Sequence, residues 1–131
     1  MEIKSKIKLK RNTQQKKIII EVICRENRPL SVDELLEEAK KELPAIGLTT
    51  IYRNVNALVS DNELVAVDFP GQPIRYEKRK GASSPHFICE QCNSLFDLGG
   101  DMPDVSYSLP KGFSRGSMDV VFYGKCGNCN S

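Results

Sequence analysis

Gly47-Leu48-Thr49-Thr50-Ile51-Tyr52-Arg53-Asn54-Val55-Asn56-Ala57-Leu58-Val59-Ser60 is the stretch on which the reading of this sequence turns. Ile51, Val55, Leu58 and Val59 recur three and four residues apart, the period of a helix with one buried stripe. Such a helix starts at Thr49 or Thr50, and Asp61 and Asn62 stop it. The opposite face carries Thr50, Arg53, Asn54 and Asn56.

Two further helices precede it. Ile18, Ile19, Val22 and Ile23 form the apolar face of the first, with Thr13 as its cap and Asn27-Arg28-Pro29 at its end. Residues 1–11 read as an arm with at most a frayed helical turn. Ser31-Val32-Asp33-Glu34 is a capping box that opens a second helix, with Leu35, Leu36, Ala39 and Leu43 facing the core. Downstream, Leu64 to Phe69 and Ile74 to Lys78 read as strands joined by the Pro70-Gly71-Gln72-Pro73 turn. Three helices followed by a hairpin is the order of a winged helix-turn-helix.

A helix that reads the major groove of DNA needs short polar side chains for base edges and basic ones for phosphate. Thr49, Thr50, Tyr52, Arg53 and Asn56 supply them. Thr and Tyr suit a thymine methyl, Arg53 a guanine or a phosphate, and Asn56 an adenine. Arg75 is expected near the base of the wing. Residues 1–17 carry +6 while the rest of the chain carries −4, so the stretch containing Lys10 and Arg11 suits phosphates or the minor groove. Any amphipathic helix has a polar face. It is the element order and the basic arm that turn this one into a candidate reader of double-stranded DNA.

Residues 79–85 read as a linker, which divides the chain into 1–79 and 80–131. The second part reads as mostly β, with strands at His86–Cys89, Leu95–Leu98 and Met118–Tyr123. Pro103, Pro110 and Gly99-Gly100 leave room for a helix of only one or two turns within 101–112. Cys89-x-x-Cys92 and Cys126-x-x-Cys129 give two thiolate pairs, each able to put both sulfurs on one face of a metal. Two such knuckles complete a tetrahedron that suits one structural zinc per chain. Gly124 and Gly127 fit tight turning there. A disulfide pair, a redox Cys-x-x-Cys and an iron–sulfur cluster are the rival readings. The remaining cysteine, Cys24, reads either as a small buried hydrophobe of the first helix or as a redox-sensitive thiol.

With 40% hydrophobic and 27% charged residues, the chain falls outside the disordered, collagenous and disulfide-scaffold classes. It has no apolar signal core and no run approaching about 20 apolar residues, so the expectation is a cytoplasmic protein without a membrane partner. One histidine and a closed metal site leave little catalytic apparatus, so neither an enzyme nor a small-molecule substrate is expected. A protein-binding adapter is the competing class.

Taken in order, several segments resemble the ferric uptake regulator (Fur) family of bacterial repressors. They are Arg11-Asn12-Thr13-Gln14-Gln15-Lys16, Gly47 to Val55, Arg75-Tyr76-Glu77, His86-Phe87-Ile88-Cys89-Glu90-Gln91-Cys92, and Tyr123-Gly124-Lys125-Cys126-Gly127-Asn128-Cys129. The resemblance implies an α+β chain with an N-terminal winged helix-turn-helix and a small α/β zinc-containing dimerisation domain. It also implies a homodimer that binds a palindromic operator, with DNA contacts at Tyr52 and Arg53 and a structural zinc on the four cysteines.

The sequence departs from the family at the sensory metal site, which is usually rich in histidine. His86 is the one histidine of the chain, and Ser83-Ser84-Pro85-His86, Gly116-Ser117-Met118-Asp119 and Pro29-Leu30 stand where others are expected. Glu77 and His86 are what matches the sensor set, and two ligands rarely hold a first-row metal. His86 is either a residual ligand with Glu77, joined by Asp97, Asp101 or Asp104, or a hydrogen-bonded structural residue. A second departure is the short 101–112 segment, where the family places a dimerisation helix.

Overall fold

The computed structural model describes residues 2–130, with side chains from Thr13 onward. The chain divides into two compact units, Met1–Arg79 and Lys80–Ser131. Among the described residues nine elements follow in order. The first unit holds α1 (Glu2–Glu26), β1 (Leu30–Ser31), α2 (Val32–Ala39), α3 (Leu48–Ser60), β2 (Leu64–Val67) and β3 (Arg75–Lys78). The second holds β4 (His86–Cys89), β5 (Leu95–Asp97) and β6 (Val121–Gly124).

α1 is longer than the sequence suggested, and Thr13 lies inside it rather than capping it. The cause is composition. Glu2 to Glu26 contains neither Pro nor Gly and carries six lysines, with Arg, Glu and Gln beside them, so nothing prevents the helix from extending N-terminally through the basic stretch. It ends where Asn27 takes φ 52 and donates its N–H to Ile23 O at 3.1 Å, ahead of Pro29. At α2 the capping box forms in both directions. Glu34 N donates to Ser31 Oγ at 3.2 Å, and Ser31 N donates to Glu34 Oε1 at 3.1 Å. α2 stops at Ala39, so Leu43 packs from the following turn rather than from the helix.

The core of the first unit joins Ile19, Val22 and Ile23 of α1 with Leu35 of α2, Ile51, Val55 and Leu58 of α3, and Leu64 and Tyr76 of the sheet. That sheet has three strands in the order β1-β3-β2, all antiparallel, with Leu30 opposite Tyr76 and Val67 opposite Arg75. β1 was not legible in the sequence, because two residues cannot display a period. It makes β3 the central strand of the wing.

In the second unit β4 lies between β5, antiparallel, and β6, parallel. A parallel pair needs a long crossover, and residues 98–120 provide it without a helix or strand. The one- or two-turn helix expected within 101–112 is therefore absent, and among the described residues this unit is β rather than α/β. Pro103 and Pro110 remove two backbone donors, and Gly99, Gly100 and Gly112 adopt positive φ at 68°, 72° and 88°. The buried apolar set of this unit is small, namely Ile88, Cys89, Leu95 and Cys126. No described helix is long and apolar enough to cross a membrane.

Candidate nucleic-acid interface and metal centre

Gly47 opens α3 in extended conformation. Ile51, Val55 and Leu58 hold one side of the helix in the core. The side away from that stripe presents Thr49, Tyr52, Arg53 and Asn56, all exposed, with Tyr52 at 48%. Their spacing of three, one and three residues aligns them along one face. Thr50 is half-buried and turned toward an open cleft of about 550 Å³ that Gln14, Gln15 and residues 43–46 also line. Chemically the exposed stripe offers a guanidinium, a phenol, a hydroxyl and a carboxamide with no core duty to perform. The side chains of Lys10 and Arg11 lie outside the described residues.

Two residues read as surface groups are buried. Asn54, expected on the polar face, is 4% exposed, and its Nδ2 donates to Thr50 O at 2.8 Å and to Gln15 Oε1 at 3.3 Å. Its position three residues after Ile51 and four before Leu58 already placed it on the core stripe, and its polarity masked that signal. Arg75, expected near the base of the wing as a DNA contact, is 2% exposed, and its Nη1 donates to Gln72 Oε1 at 3.2 Å. Burial lowers its pKa below the usual arginine value, with the Glu34 carboxylate pulling the other way. Arg75 lies on the face of β3 opposite Tyr76, and with β1 and β2 flanking the strand on both edges it is covered there rather than standing at an open edge. Cys24 is also corrected, being exposed. It follows Ile23 by about 100° of helical turn, which carries it off the apolar face.

The four paired cysteines converge. Their sulfurs all lie within 4.8 Å of one another, and Cys92 Sγ stands 3.8 Å from Cys126 Sγ. A zinc tetrahedron with Zn–S of about 2.3 Å has edges of about 3.8 Å, so the spacing fits a shared metal and not a disulfide. Cys89 ends β4, and its Sγ accepts N–H groups from Cys92 and from Cys126, each at 3.4 Å. These backbone donors lower the Cys89 thiol to about 6. Cys92 is also lowered, chiefly by the Ser94 side chain. Cys129 is pushed up to about 12, first by its hydrogen bond with Cys126 and then by burial. A full set of thiolates therefore requires a cation among them. Four sulfur donors fit zinc and leave no open position for catalysis.

Asn93, at φ 59, turns the first knuckle and donates to Cys89 O at 2.8 Å. Gly124 and Gly127, read as turn residues, do not have positive φ. Gly124 serves a different purpose, because a Cβ there would meet Phe87 Cζ at 3.2 Å.

The structure places Glu77 on β3 opposite Val65, in the first unit, and His86 on β4 opposite Asp97, in the second. The Asp97 side chain is 5% exposed and well supplied with partners. Its Oδ1 accepts from Ser84 Oγ at 2.5 Å and from Gly99 N at 2.8 Å, and its Oδ2 pairs with Lys80 Nζ at 3.0 Å. His86 Nε2 lies 3.7 Å from the same oxygen.

The ferric uptake regulator family model matches residues 8–121. The ferric uptake regulation protein of Bordetella parapertussis is 30% identical over 105 residues, covering 78% of this chain and 76% of that protein. The Campylobacter jejuni peroxide stress regulator superposes with a TM-score of 0.65 at 24% identity, over 98% of this chain and 97% of the other. The Helicobacter pylori ferric uptake regulator gives 0.62 at 17% identity, over 98% and 90%. At these identities the superpositions speak for the fold alone.

Proposed function

The chain belongs to the ferric uptake regulator family, whose members are DNA-binding transcription regulators, and on that premise we propose that it is a repressor that binds a palindromic operator as a homodimer. In this reading residues 1–79 bind DNA, and residues 80–131 dimerise and hold one structural zinc on Cys89, Cys92, Cys126 and Cys129. The observation that carries the reading is the exposed stripe of Thr49, Tyr52, Arg53 and Asn56 on a helix whose other side is fixed in the core. Base edges are read by Tyr52, Arg53 and Asn56. Thr49 and Thr50 add contacts to thymine methyls, and Lys10 and Arg11 hold the phosphates. Arg75 supports the wing from inside.

Selection from a random duplex pool yields the operator, and binding to it weakens steeply with salt. Arg53→Ala costs about 1–3 kcal/mol on that duplex. An Arg53→Ala protein that binds as tightly as wild type overturns the assignment of the reading helix.

The second metal site has lost most of the family's histidines, and His86 serves as a structural partner of β5. Supporting this, Asp97 already has Ser84, Gly99 and Lys80 as partners. Elemental analysis then finds one tightly held zinc per chain. A second, chelator-removable metal that promotes DNA binding overturns this part of the proposal.

A further inference from the structure

From the buried carboxamide in the middle of α3, we infer that Asn54 is a positioning residue for sequence reading: through Gln15 it fixes how the reading helix is rotated against α1. This rests on the DNA-reading role proposed above and adds what sets the angle of the reader.

Stability gives no reason for an asparagine at this position. Its neighbours on the stripe are Ile51, Val55 and Leu58, and an apolar side chain there would bury area without the cost of desolvating an amide. A hydrogen-bonded buried pair is often no more stable than apolar replacements of similar shape. What the carboxamide adds is direction. Apolar packing between α1 and α3 tolerates rotation and sliding of one helix on the other. A bond from Asn54 Nδ2 to Gln15 Oε1, anchored by a second from the same nitrogen to Thr50 O, does not.

Both ends of the link lie where DNA contacts are proposed. Asn54 follows Arg53 and precedes Asn56 by two residues, so any roll of α3 about its axis moves both. Gln15 stands one helical turn beyond Arg11 on α1. The bond thus couples the helix that reads bases to the helix that carries the basic stretch. Base contacts and phosphate contacts are kept in register with each other. A loosened link leaves non-specific attraction intact and degrades discrimination, because phosphate contacts carry no sequence information.

The test uses full-length, zinc-loaded protein. Wild type first selects its duplex from a random pool. Dissociation constants for that duplex and for a shuffled one are then measured across a salt series for wild type, Asn54→Leu, Gln15→Leu and the double variant, alongside thermal melts. The expected result is a fall of about tenfold in the ratio of specific to non-specific binding in each single variant, the size of one lost hydrogen bond. The double variant should lose no more than either single one, since one link is broken in all three. Shuffled-duplex affinity, its salt slope and the melting temperature should stay at wild-type values. Gln15 is half-buried on a helix surface, so its variant keeps the inference testable even where Asn54→Leu folds poorly. An unchanged ratio in Gln15→Leu overturns the inference, as does an equal loss on both duplexes or strict additivity of the two losses. A wild-type protein that selects no duplex overturns the DNA-reading role itself, a result distinct from a selected duplex whose discrimination survives the substitutions.

Discussion

At the scale of single residues, the metal-free cysteine site does not hold its protons uniformly. With Cys89 lowered to about 6 and Cys129 pushed up to about 12, the first is mostly thiolate at neutral pH and the second is a thiol. Zinc binding at pH 7 must therefore expel at least the Cys129 proton. Apparent zinc affinity is expected to rise by at least about tenfold for each pH unit above 7, since at least one proton is released. It falls more steeply below pH 6, where Cys89 is protonated as well. Competition against a chromophoric chelator at several pH values measures both limbs, and an affinity flat between pH 7 and 8 contradicts the expectation. Arg75 makes a contrasting case. Because its guanidinium is buried and bonded to Gln72, Arg75→Ala is expected to lower unfolding free energy by about 1–3 kcal/mol in urea titration. The ratio of specific to non-specific DNA binding should not change. A loss of discrimination without a loss of stability would return Arg75 to the DNA surface.

Among the elements, those with local instructions were legible in the sequence and those made by partners were not. α2 was readable because Ser31 and Glu34 bond each other across a single turn, and Ser31→Ala is expected to cost about 1 kcal/mol in thermal or urea unfolding. α3 was readable because Ile51, Val55 and Leu58 keep helical spacing even though Asn54 interrupts the stripe. The start of α1 was not, since a threonine in a stretch of helix formers is ambiguous between a cap and an interior position. β1 escaped notice because Leu30 and Ser31 become a strand only by pairing with Tyr76 and Arg75. Asp97 fastens β5 to the segment leading into β4 through Ser84 and Lys80. The Lys80 side chain is half exposed, so its pair is screened, and Lys80→Met should cost about 1 kcal/mol or less. Asp97→Ala removes the buried acceptor to which Ser84 Oγ and Gly99 N–H donate, along with the partner of Lys80, and about 3 kcal/mol is expected. Equal costs in urea titrations of the two variants would show that the carboxylate is held by the lysine alone.

For the molecule as a whole, the second unit buries few apolar residues and exposes many. Leu98, Val105, Tyr107, Leu109, Phe113, Phe122 and Tyr123 are all exposed, and β6, which carries the last two, is a sheet edge. Exposed apolar groups on an open strand are the features that a partner surface covers. In the proposed homodimer, Phe122→Asp with Tyr123→Asp is expected to give monomers by light scattering at micromolar concentration, with zinc retained. A wild-type monomer at that concentration would remove the dimer from the proposal. Chelation should melt the second unit, whose buried apolar set is small, and leave the first unit's helical signal in circular dichroism, since its core is independent of the cysteines.

By itself the sequence determined the three-helix-and-hairpin order, the division near residue 80, the two Cys-x-x-Cys pairs and the helix that carries Tyr52 and Arg53. Each of these is written in local spacing: a 3.6-residue period, a capping box, a two-residue gap between thiols. Tertiary structure alone decided that Arg75 is buried, that β3 is a central strand and that four sulfurs meet. Those outcomes depend on which surface each residue finally faces. That is settled by strands and helices distant in the chain, through packing that no local period encodes.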